Sequence, residues 1–170
     1  MSVSLPFGCK RNLYFSLAYS YLLYGLIIYG FANNSVLKPL LITCNRVLRA
    51  LQNKPRDFPV KCLCLNYNTL PINSLFNYVL LNLVYRCYNK STTDALPSVI
   101  SNMFVLNSAI HHYNTRSRLN IHLFHNCSSS VDSRVFHGSA LWNDTPDSIK
   151  SCNTLAAFSK KLKLHLLNKL

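Results

Sequence analysis

Hydrophobic positions recur at helical spacing over most of the chain. From Leu13 to Leu37 there is no charged residue at all, and Leu, Ile and Tyr dominate the run. A bilayer span needs about 20 mainly apolar residues, so the segment is long enough to be an anchor. Two features favour a core helix instead. Asn12, Ser16 and Ser20 recur every four residues, with Tyr24 extending the row, which draws a polar stripe along one helical face. Tyr14, Tyr19, Tyr21, Tyr24 and Tyr29 are spread through the run rather than gathered at its two ends, where an interfacial belt would sit. The run is also longer and bulkier than the apolar part of a cleavable signal and lacks a small-residue cleavage site.

A second helix is expected from near Ser35 to just before Asn53, with Pro39 in its first turn and Lys54-Pro55 breaking the pattern. Val36, Leu37, Leu40, Cys44, Val47, Leu48 and Leu51 share one face, and Lys38, Arg46 and Arg49 project from the other. A cationic stripe over a buried face is the arrangement phosphate contact requires, although a solvated basic face explains the same pattern. Pro55, Pro59 and Pro71 predict loop or short extended structure over residues 56–69. A third helix follows from Ile72 to about Cys87, with Ile72, Leu75, Phe76, Val79, Leu80, Leu83 and Cys87 as its apolar face.

Residues 91–110 are irregular and read as a linker between a helical region, 1–90, and a basic C-terminal region, 111–170. There, Leu119, Ile121 and Leu123 alternate with Asn120, His122 and Phe124, and Arg134 to His137 forms a second strand candidate, so a small β-hairpin is predicted. The chain closes with an amphipathic helix from about Thr154, with Leu155, Phe158, Leu162 and Leu166 on one face and Lys160, Lys161 and Lys163 elsewhere on its circumference. The fold class is therefore mainly α, with a minor β element.

Composition sharpens the functional reading. The 170 residues are 49% apolar, enough for a single core, and 18 Lys and Arg face five acids, all Asp, for a formal charge of +13. Such a field attracts RNA, DNA or an anionic membrane surface, or an acidic protein. The scarcity of carboxylates disfavours acid–base and metal-dependent chemistry, which need them in close groups. Asp144 and Asp147 are the one neighbouring pair; flanking Pro146, they read as turn and helix-capping residues.

Seven cysteines at 9, 44, 62, 64, 87, 127 and 152 form no regular framework and suit a reducing, intracellular compartment. Cys62 and Cys64, with His111, His112, His122 and His125 downstream, lack the paired spacing of zinc ligands, and no cofactor is implied. Trp142, flanked by Ala140 and Leu141, reads as a core anchor rather than a base-stacking platform. Arg116 and Arg118 beside Tyr113 combine charge with an aromatic face suited to a nucleic-acid backbone. Arg116 has an alternative role as partner of Asp132 or Asp144.

In order, the landmarks are LYFSLAYSYLLYGLIIYG, LKPLLITCNRVLRAL, TLPINSLF, IHHYNTR, GSALWNDTPDSIKS and TLAAFSKKLKLHLL. This series resembles the C-terminal end of the reverse transcriptase of non-LTR, LINE-type retrotransposons, particularly the jockey-like group, from about Leu13 to Leu170. The most specific pieces are His111, Tyr113, Asn114, Thr115 and Arg116, followed by Gly138, Leu141, Trp142, Asn143 and Pro146. The resemblance implies that Leu13 to about Lys90 corresponds to the helical thumb that supports a primer–template duplex, and that the uncharged opening segment is core.

The chain departs from that family in lacking the palm aspartates of a Tyr-x-Asp-Asp-like motif and an endonuclease domain. His112 stands where Asn is usual, Thr145 where an apolar residue is, and Ala156-Ala157 where the family is more basic. The implied function is sequence-independent binding of RNA or DNA backbone without catalysis, through Lys38, Arg46, Arg49, Tyr113, Arg116, Arg118, Lys160, Lys161 and Lys163. A complete reverse transcriptase is an implied companion. The alternatives are a membrane protein anchored by residues 13–37 and a relic with no selected function.

Overall fold

The computed structural model describes residues 5–89, 97, 100, 102–110, 117, 120–123 and 130–170. Among these residues the secondary structure is helical, and the chain divides into two compact units, Met1–Phe76 with Leu166–Leu170 and Asn77–His165.

The first unit opens with α1 (Phe7–Leu13), a π-helical turn (Tyr14–Tyr19) and α2 (Ser20–Leu23). The backbone stays right-handed helical through both junctions, so residues 7–23 form one rod. Tyr14 and Leu22 are buried on it, Lys10, Arg11, Phe15, Ala18 and Tyr19 are half-buried, and Asn12, Leu13, Ser16, Leu17, Ser20 and Tyr21 are exposed. In an α-helix a row spaced by four residues drifts about 40° around the axis at each step. The wider i→i+5 turn takes up that drift. The four-residue polar row of the sequence is thus an exposed face, held straight by the π turn.

The uncharged segment is not the single helix its hydropathy suggested. Tyr24 is extended and Gly25 takes φ +68°, a left-handed conformation that glycine adopts without a Cβ penalty. A short α3 (Leu26–Tyr29) follows. At Gly30 an added Cβ would collide with the Phe76 ring, so only glycine allows this close approach. Asn33 then starts α4 (Asn34–Leu51), its side chain accepting from Ser35 N at 3.3 Å. No helix among the described residues is long and apolar enough to cross a membrane.

On α4, Leu37 and Leu48 are buried and Leu40, Cys44, Val47 and Leu51 half-buried, as the wheel requires, but Val36 is exposed. Val36 lies in the first turn and outside the buried arc. Residues 56–69 correct the expectation of loop: they contain α5 (Val60–Tyr67), with Pro59 at its N-cap, where a missing N–H costs nothing. Leu63, Cys64 and Tyr67 are buried at the i, i+1, i+4 spacing of a helix. They pack with Tyr14 and Leu48 into a core edged by Val47, Leu51, Phe58, Val60 and Leu170. The Tyr14 hydroxyl meets Thr69 Oγ1 at 3.4 Å inside this core, and burial pushes its pKa up to about 12.

α6 (Ile72–Tyr88) follows the expected third helix closely. The second unit combines its later turns with α7 (Asn107–Ile110), α8 (Ser130–Asp144), α9 (Asp147–Lys150) and, as far as His165, α10 (Leu155–Asn168). Its centre is aromatic. Tyr85 stacks on Phe158 with ring centroids 4.2 Å apart, and Trp142, 1% exposed, lies 5.9 Å from Phe158 and 5.2 Å from Tyr88. The Tyr85 hydroxyl donates to Cys152 O at 2.6 Å and accepts from Asn89 Nδ2 at 2.9 Å. Trp142 is a core residue, as the apolar Ala140-Leu141 before it implied.

The predicted β-hairpin does not form. Arg134–His137 lies inside α8, and Ile121 makes an isolated antiparallel bridge with Leu106 instead. The alternation around Ile121 is nonetheless meaningful, because the Asn143 side chain clamps the Ile121 backbone as a neighbouring strand would. Its Nδ2 donates to Ile121 O and its Oδ1 accepts from Ile121 N, both at 2.9 Å. Asp147 occupies the first turn of α9 and pairs with Lys150 at 3.6 Å, but Pro146 holds the N-cap position, so Asp147 contributes charge at the helix start rather than a capping hydrogen bond.

Candidate nucleic-acid interface

The basic face of α4 forms one wall of a groove of about 630 Å³. Ile42, Asn45, Arg46, Arg49 and Ala50 line it from the helix, at the i, i+3, i+4, i+7, i+8 positions that share one side. Lys54, Arg56 and Asp57 line it from the following loop. Lys38 is exposed one turn before Ile42 on the same face.

The loop returns to the helix because α4 ends in a Schellman arrangement. Asn53 takes φ +52°, its N–H bonds Ala50 O at 3.2 Å, and the Lys54 N–H bonds Arg49 O at 2.9 Å. Pro55 then prevents the helix from continuing. Lys54 and Arg56 are thereby folded back beside Arg46 and Arg49.

Inside the groove Arg49 is held in place. Its Nε and Nη2 donate to Phe58 O at 3.3 and 3.1 Å, leaving the Nη1 edge of the guanidinium for a ligand. The Lys54 ammonium stands 4.9 Å from the centre of the Phe58 ring. Arg46 and Arg56 are exposed and make no hydrogen bond or ion pair with described residues. Four cations face one carboxylate, Asp57, at fixed backbone positions, which suits an anion carried on a repeating chain.

Of the residues the sequence put forward, Lys38, Arg46 and Arg49 share this helix face. Lys160 and Lys161 are exposed and Lys163 half-buried on α10, spread around the helix rather than aligned, and Lys161 Nζ donates to Ser148 O at 3.3 Å. Tyr113, Arg116 and Arg118, with His111 and His112, lie outside the described residues, and so therefore does any pairing of Arg116 with Asp132 or Asp144. Lys54 and Arg56 were missed. The signal that could have found them is Asn53 followed by Pro55, a helix-ending pair that turns the next residues back along the helix.

The remaining candidate groups are the cysteines and the metal-ligating residue types among the described residues. Burial pushes the Cys64 thiol up to about 11 and raises Cys44 and Cys87 as well, which disfavours the reactive thiolate. No group of three His, Cys, Asp or Glu is placed to hold a metal among them. No protein-family model matches the chain, and neither a curated protein nor a solved structure matches it.

Proposed function

We propose that this protein binds the phosphate backbone of RNA or DNA without sequence preference, through the α4 groove, and performs no catalysis of its own. We further propose that it derives from the C-terminal, thumb-containing part of a LINE-type reverse transcriptase, on the strength of the sequence landmarks. In that setting a complete reverse transcriptase would supply the aspartates this chain lacks.

The observation that carries the binding proposal is the return of Lys54 and Arg56 onto the face that already bears Arg46 and Arg49. A charge run that served solubility alone would gain nothing from being folded into a concave surface with one guanidinium pinned by a backbone carbonyl. The groove's Arg and Lys reach phosphate oxygens whatever the bases are, and backbone contact is the reading proposed. The test is fluorescence anisotropy with unrelated RNA and DNA oligonucleotides. Affinities within a few-fold of one another, weakening steeply as salt rises, are expected. Affinity indifferent to salt, or strong preference for one sequence, would contradict the proposal.

A further inference from the structure

The rod of residues 7–23 exposes more than its polar row. Leu13, Leu17 and Tyr21 follow one another at four-residue spacing, directly beside Asn12, Ser16 and Ser20, and the exposed apolar run continues through Tyr24 to Ile28 beyond the Gly25 turn. Leu17 is 68% exposed, Tyr21 84%, Tyr24 86% and Ile28 72%. Scattered surface leucines need no explanation, but an exposed apolar row along a rod, with further exposed apolar side chains just past its end, marks an interaction surface. We propose that this face seats the protein on an anionic lipid bilayer, lying in the headgroup region without crossing the membrane.

Charge selects the occupant. Seven Lys and Arg precede the first carboxylate, Asp57, so the first 56 residues of the unit bearing the stripe carry cations and no acidic side chain. A second copy would bring +13 against +13, whereas anionic headgroups attract the field while the acyl boundary receives the leucines. In a rod lying flat, the exposed Tyr21 ring would stand at headgroup depth, where amphipathic rings are favoured.

The polar half of the exposed face is also muted. Ser20 Oγ donates to Ser16 O at 2.6 Å and Ser16 Oγ to Leu13 O at 3.4 Å, so both hydroxyl protons are already taken by the helix. This surface is distinct from the α4 groove and does not depend on the nucleic-acid proposal.

The experiment is flotation of the full chain with vesicles of phosphatidylcholine alone and of phosphatidylcholine with phosphatidylglycerol in equal parts. The wild type is expected to float with the anionic vesicles only, and the double variant Leu17→Ser, Ile28→Ser to partition at least about tenfold less, as loss of two aliphatic side chains implies. The emission of a Tyr24→Trp variant, after subtraction of the wild-type signal from buried Trp142, should shift to the blue on addition of the anionic vesicles, a readout that removes no aliphatic side chain. Equal flotation of the serine variant would reduce the effect to charge alone and overturn the proposal. So would bound protein with no blue shift. Self-association abolished by the serine substitutions would make the occupant a second copy, and a tenfold loss of RNA affinity in the same variant would make the stripe a base platform; either result overturns it.

Discussion

Replacing Phe158 by alanine tests whether the aromatic centre of the second unit is a packed core. Phe158 is fully buried, and its ring stacks on Tyr85 at 4.2 Å and approaches Trp142 at 5.9 Å. Truncating a buried phenylalanine costs about 3–5 kcal/mol, of which the aromatic pairing accounts for about 0.5–1.5 kcal/mol. Domains of this size hold only about 5–15 kcal/mol in all, so the variant should lose a large part of its stability. Trp142 is the single tryptophan and sits in the same cluster, which makes its emission a local reporter. In urea, with a slope of about 1–3 kcal/mol per molar, the midpoint should fall by at least about 1 M. Leu164 on the same helix is 52% exposed, and Leu164→Ala should stay within about 0.5 kcal/mol of wild type. Equal shifts for the two variants, or solvent-exposed Trp142 emission in native buffer, would refute the packing described. A cooperative transition in the wild type would also argue against a relic without a stable fold.

Three further predictions concern one hydrogen-bonded side chain and two titrating groups. Asn143→Ala should strip both hydrogen bonds from the buried Ile121 backbone and cost about 1–3 kcal/mol in thermal or urea unfolding; a neutral result would show that the clamp is dispensable. Burial raises the Cys64 thiol from 9.0 to about 11, so its contribution is intact below pH 9 and is lost as pH climbs from 9 toward 11, while the unfolded chain ionises first. Circular dichroism melts over that range should show the decline, and Cys64→Ala should flatten it; an unchanged slope would contradict burial of the thiol. His137 works in the opposite direction: burial lowers its pKa from 6.5, so as pH falls below that value the unfolded chain takes up a proton that the folded one resists. Melts followed by Trp142 emission should show stability falling with acid, less so in His137→Asn.

Helical periodicity made α4, α6 and α10 legible, because each buries one face over three or more turns. α5 was hidden because CLCLNY is short, alternates in polarity and is fenced by prolines, so its pattern favours extended structure until Tyr14 and Leu48 supply a core for Leu63, Cys64 and Tyr67. The alternation around Ile121 did signal an extended residue, but its partners were Leu106 and the Asn143 amide, neither of which local pattern could select. The opening segment misled through composition. Its length and lack of charge suggested one helix, whereas Gly25, Gly30 and Asn33 divide it, and the four-residue polar row was the better guide to which side meets solvent. Half of the basic groove was visible as a stripe on α4; the other half depended on a left-handed Asn53 that folds the loop back.

The most direct measurement of the central claim is the salt dependence of RNA binding by the wild type and by Arg46→Gln, Lys54→Gln, Arg56→Gln, a variant altered only at solvent-facing groove cations. If the groove holds phosphates, the plot of log affinity against log salt should flatten by about 0.7 for each phosphate no longer neutralised on a single strand, a total of about 2 for the three cations removed, with affinity reduced alike for unrelated sequences. An unchanged slope in the triple variant, with its fold intact, would place the polyanion elsewhere and contradict the assignment of the α4 groove.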